Sequence, residues 1–95
     1  MAIISDIQMS QNSWFSDEAA RGLTASFSEF EFGFASFSIA LCNDAVSGWI
    51  EYSFDGQHVC GRVKPGEARK IDFCRHRTIW LKGQSGGEGY RLEVY

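Results

Sequence analysis

The chain has 95 residues, with eight Phe, three Trp and three Tyr against two Met and one Pro, and a formal net charge of −3. This length predicts one domain, 1–95, whose single core supplies nearly all the stability. The composition disfavours helices, and the negative charge disfavours nucleic-acid binding, because a phosphate backbone selects for positive charge.

Met1 to Asp6 carries neither a basic leader nor a long apolar run, so an export signal is not expected and the cytosol is the default setting. Ile3 to Met9 is a candidate first strand, followed by a polar stretch with Trp14-Phe15 as an anchor. Ser16 to Gly22 predicts one helical turn: a serine cap, acids at the positive end, then Arg21 and Gly22 near the stop. The least polar run, Phe32 to Cys42, is too short to cross a bilayer. Phe30, Phe32 and Phe34 share one parity while Phe37, Ile39 and Leu41 share the other, which predicts a β-bulge near Ala35-Ser36 with Phe32, Phe34, Phe37 and Ile39 all buried.

Asn43 to Gly48 is a turn cluster, and Ile50, Tyr52 and Phe54 then alternate with Glu51, Ser53 and Asp55 as in a strand with one buried face. Asp55-Gly56 predicts a tight hairpin turn leading to a strand with Val59, Gly61 and Val63 inward. Lys64 to Glu67 is the next turn, after which Ile71 and Phe73, then Ile79 and Leu81, face the core. Gly83 to Gly89 is a glycine-rich loop, and Tyr90 to Tyr95 is the last strand. Short alternating strands punctuated by turns predict an all-β, antiparallel β-sandwich of jelly-roll or immunoglobulin-like connectivity, with a small β-barrel as the alternative.

Gly83 to Gly87 superficially resembles the nucleophile loop of chymotrypsin-like proteases, but Gln84 stands where Asp is needed and the chain is too short for the two barrels that assemble such a triad. A strand rather than a helix follows these glycines, which argues against a phosphate cradle. Glu29 and Glu31 share a strand face without any sign of the cleft that glycoside hydrolysis requires. No catalytic set emerges, and the expectation is that the chain is not an enzyme and has no cofactor. His58, Cys60, Cys74 and His76 offer zinc-type ligands as two pairs, each pair on one strand face, but a hairpin joining them would be centred far away near Glu67. The three cysteines, Cys42, Cys60 and Cys74, are expected as free thiols.

Charge is unevenly spread: residues 1 to 61 sum to −7, while residues 62 to 82 sum to +5 through Arg62, Lys64, Arg69, Lys70, Arg75, Arg77 and Lys82. These bases, with Trp49, Trp80 and Tyr95 on the parity opposite to the core, form a candidate interface of apolar centre and charged rim. The same three rings, as sugar-stacking platforms, support the alternative of a carbohydrate-binding or host-recognition module.

Residues 48 to 95 carry an Ile50 to Gly56 hairpin, a Val63 to Glu67 turn, an Ile79 to Gly83 strand and the terminal Tyr90 to Tyr95 strand. This series resembles small β-sandwich virion proteins of tailed bacteriophages. The resemblance implies a structural protein present in many copies on a capsid or tail, without a cofactor. Its partners would be other copies of itself or the major capsid or tail proteins, with no membrane and no direct nucleic-acid contact. It would be assembled in the host cytoplasm and located in the virion.

Overall fold

Alternation of apolar and polar side chains over short, turn-bounded runs gives eight strands in the computed structural model, which describes residues 13–95. They are β1 (Trp14–Asp17), β2 (Ser28–Glu31), β3 (Ser38–Asn43), β4 (Ile50–Ser53), β5 (Gly61–Val63), β6 (Ala68–Asp72), β7 (Thr78–Gly83) and β8 (Tyr90–Val94). The expected strand at Ile3 to Met9 lies outside the described residues.

All pairings are antiparallel, in two four-stranded sheets of order β1-β8-β3-β6 and β2-β7-β4-β5. Each consecutive pair of strands except β4 and β5 changes sheet, which is jelly-roll rather than immunoglobulin connectivity. Inward positions fill the space between the sheets. Ile39, Leu41, Leu92 and Val94 from the first sheet and Phe30, Ile50, Ile79 and Leu81 from the second are almost wholly buried. Trp14 and Tyr90 each meet Phe30 edge-on, closing the aromatic part of this core.

Several expectations are corrected. Asp17, not Ser16, caps the turn that follows β1: its Oδ1 accepts from the amides of Ala19 and Ala20. Ser16 is instead buried in β1 against the Tyr90 hydroxyl, 2.9 Å away. The change of parity between Phe34 and Phe37 is not a bulge; it is the crossover from β2 in one sheet to β3 in the other, eased by Gly33 at φ 83°. A crossover need not keep its side chains inward. Phe32 is buried and Phe34 half-buried, but Phe37 is 61% exposed.

The Asp55-Gly56 turn belongs to a longer loop between β4 and β5, so Val59 is half-exposed rather than inward. Phe73 has left β6 and is 78% exposed, because its backbone turns to φ 59°. Glu51, expected outward in solvent, is buried on the outer face of its sheet beneath Arg62 and Lys82.

Candidate functional site

The candidate interface residues do not form one patch. On the outer face of the second sheet, Glu51 Oε2 accepts from Arg62 at 2.6 Å and Oε1 lies 3.5 Å from Lys82 Nζ. The Arg62 hydrogen bond outweighs burial and holds the Glu51 carboxyl below the usual range. Arg62 also lies 4.2 Å over the Trp49 ring, and Lys82 lies 4.7 Å over Phe27. Trp80 shares this outer face, with its indole packed against Gly56. Tyr95 belongs to the outer face of the first sheet, where its hydroxyl donates to Glu93. The three rings therefore make no common sugar platform.

Arg69 points inward from β6 at the open edge of the sandwich and bonds the Tyr52 hydroxyl and the Arg62 carbonyl across the gap. Lys70 lies on the outer face of the first sheet, 3.9 Å from Asp72, and Lys64 sits in the β5–β6 turn. Arg75 and Arg77 stand in the β6–β7 loop, exposed, and neither guanidinium has a partner among the described residues.

The proposed zinc ligands are not brought together. His58 bonds Asp55 at 2.6 Å, Cys60 is exposed, Cys74 is buried beside Ser36, and His76 stacks on Phe54 at 3.8 Å. Among the described residues no group of three or more His, Cys, Asp or Glu is placed to hold a metal ion. The residues lining the space between the sheets are apolar and do not fit a metal either. The three cysteines are free.

The alternation of strand direction gathers the loops at two ends, and sequence reasoning missed what this assembles. At one end the segments 18–27, 44–49 and 84–89 enclose an open cleft of about 610 Å³ lined by Glu18, Asp44, Glu88 and the fully exposed Val46. Asn43 fixes its floor, donating to the carbonyls of Gly48 and Val63 and accepting from the Ala45 amide. Arg91 grips Asp44 at 2.7 and 3.2 Å.

Glu88 is only 6% exposed and lies where a Cβ on Gly48 or Gly83 would stand. Its Oε2 accepts from the Ser85 amide at 2.9 Å, whereas Oε1 has no hydrogen-bond partner among the described residues. The glycine-rich stretch expected as a plain turn is thus the housing of a buried acid. The only signal in the sequence was Glu88 among glycines.

The opposite end carries the β2–β3, β4–β5 and β6–β7 loops. Here the exposed Phe37 and Phe73 meet edge-on at 5.1 Å beside Arg75, with Arg77 in the same loop. A bulky residue with positive φ is a genuine conformational outlier. Phe73 holds that conformation with its ring in solvent.

No family model and no curated protein matches the chain. Among solved structures, a cupin-2 domain protein from Shewanella frigidimarina matches with TM-score 0.53 at 12% identity, covering 88% of this chain and 72% of that one. A hydroxypropylphosphonic acid epoxidase from S. wedmorenis matches with TM-score 0.52 at 9% identity, over 86% of this chain and 41% of the enzyme. The SPBc2 prophage-derived protein YomS matches with TM-score 0.47 at 13% identity, over 86% and 93%, a likeness too distant to carry an argument.

These likenesses correct one expectation. The chain was expected not to be an enzyme, yet the epoxidase shares this fold over 41% of its length, so the fold itself does not exclude catalysis. A missing sequence motif does not exclude catalysis from a jelly roll whose cleft is assembled from three separate loops. At these identities the comparisons establish the fold: the chain has the two-sheet β architecture shared with the cupin-2 domain protein.

Proposed function

We propose that the chain is an assembly protein acting through protein–protein contact, packed in many copies on a bacteriophage capsid or tail. The observation that carries this reading is the exposed Phe37–Phe73 pair, held out by the strained Phe73 backbone, with Arg75 beside it and Arg77 in the same loop, neither guanidinium having a partner among the described residues. An aromatic centre with an arginine rim is the usual anatomy of a contact surface. The phage setting is supported by the motifs of residues 48 to 95 and implies assembly in the host cytoplasm.

The test is the copy number of the chain in gradient-purified particles from cells producing either wild type or the Phe37→Ser, Phe73→Gly double variant. The expected result is at least a roughly tenfold loss of incorporated copies, as removal of a hot spot worth about 1.4 kcal/mol or more requires. Equal incorporation of the two proteins, with both folded, would remove this surface from the assembly.

A further inference from the structure

The two ends of the sandwich are unlike in every respect that matters to association. One offers Glu18, Asp44 and Glu88 around an open cleft with Val46 fully exposed on its lip. The other offers Phe73 and Phe37 in solvent with Arg75 beside them and Arg77 in the same loop, both guanidinium groups without a partner among the described residues. Four other bases of the basic segment are occupied: Arg62 and Lys82 by Glu51, Arg69 by Tyr52, Lys70 by Asp72. The surplus positive charge that remains available therefore includes the aromatic end.

The strand topology fixes where these ends are. Asp17 pairs with Arg91 and Asn43 with Tyr90 at the cleft end, while Trp14 pairs with Val94 and Ser38 with Asp72 at the aromatic end. The strands run between the two, so the surfaces face away from each other and cannot meet within one molecule. A second molecule can bring them together.

We propose that the two ends are complementary halves of one head-to-tail contact between copies of this chain. The Phe73 ring packs on Val46 while Arg75 and Arg77 enter the cleft toward Glu18 and Glu88. The proposal rests on the reading of the chain as an assembly protein and names the partner as a second copy.

Charge complementarity argues for this occupant. A guanidinium supplies planar N–H donors, and the cleft supplies carboxylates, of which the buried Glu88 keeps an oxygen without a donor among the described residues. The cleft end of each copy stays open to the next, so such a contact does not close at two chains. It generates a ring if its rotation closes and a filament if it does not.

The experiment uses the full chain in sedimentation velocity over a concentration series, with circular dichroism to confirm folding. Two variants each disable one end at exposed positions: Arg75→Glu with Arg77→Glu, and Glu18→Lys with Val46→Lys. Wild type is expected to exceed two chains as concentration rises. Its association should weaken on the order of tenfold between low and moderate salt, because exposed charges are screened.

Each variant alone should stay monomeric, and an equimolar mixture should form a two-chain species and nothing larger, since only one live cleft and one live aromatic end remain. A monomeric wild type, a variant that dimerises alone, or a mixture that stays monomeric while wild type associates would each overturn the contact. A monomeric wild type together with loss of the Phe37→Ser, Phe73→Gly double variant from particles would overturn this contact and leave the assembly reading standing. Self-association as predicted together with normal incorporation of the Phe37→Ser, Phe73→Gly double variant would uphold the contact and overturn that reading.

Discussion

Tyr90 shows how one hydroxyl ties the sheets to the loops at the cleft end. Its ring is completely buried against Phe30, and its hydroxyl donates to the Arg21 carbonyl at 2.7 Å while meeting Ser16 Oγ at 2.9 Å. Burial raises the phenol above its ordinary value, so the group stays a neutral donor throughout the physiological range. Tyr90→Phe keeps the ring but strands a carbonyl and a serine. Chemical denaturation is expected to show a loss of about 1–2 kcal/mol, and an unchanged midpoint would mean that water replaces the phenol.

Phe73 is the opposite case. A non-glycine residue held in the left-handed region carries about 1–2 kcal/mol of strain that glycine at the same φ does not, while glycine's extra freedom in the unfolded chain costs about 0.5–1 kcal/mol. Phe73→Gly is thus expected to be no less stable than wild type, which is what qualifies it as a probe of association.

At the scale of the element, the β4–β5 loop is organised by Asp55. Its Oδ1 accepts from the amides of His58 and Gln57 and from Ser53 Oγ, all at 2.8 Å, and Oδ2 meets His58 Nδ1 at 2.6 Å. The His58 amide first, then the His58 ring, the Gln57 amide and Ser53, hold the Asp55 carboxyl well below the usual carboxylate range. The same contact raises His58 above 6.5. The signs are opposite. Asp55 contributes stability above its unfolded value of 3.8 that is lost as pH falls through the depressed one. His58 contributes stability below 6.5 that is lost as pH rises through its raised value. Protection factors for amides 57 and 58 should therefore be highest between those two pH values. An NMR titration that places His58 at or below 6.5 would contradict the pairing.

The strands were legible in the sequence because burial and alternation coincide there: Ile39 and Leu41, Ile79 and Leu81, and Tyr90, Leu92 and Val94 all face the core as their parity requires. Legibility failed where the chain leaves a sheet. Phe37 and Phe73 look like core residues by type and parity, yet one stands in a crossover and the other in a left-handed turn, so neither obeys the period of two. The cleft was hidden for a different reason. Glu18, Asp44 and Glu88 come from three loops far apart in sequence, and only the topology brings them to one end. Glu51 was misplaced because its burial depends on Arg62 and Lys82, which stand on two other strands.

At the scale of the whole molecule, strand order decides what can fold alone. The bacteriophage resemblance covers residues 48 to 95, which contain β4 to β8. In the second sheet this segment retains β7, β4 and β5 as neighbours. In the first sheet it retains β6 and β8, which are separated by β3 and do not touch. Both of those strands lose the partner between them, and Ile50, Ile79 and Leu81 lose the facing layer formed by Ile39 and Leu41. Three strands over an uncovered apolar face are at the lower limit of independent stability, and unpaired edges promote association instead of folding. The isolated segment 48–95 is therefore expected to show poor amide dispersion by NMR and no cooperative thermal transition, whereas the 95-residue chain should show both. A cooperative transition in the fragment would mean that the motif-bearing half is a folding unit in its own right, and that β3 is not the strand on which the first sheet depends.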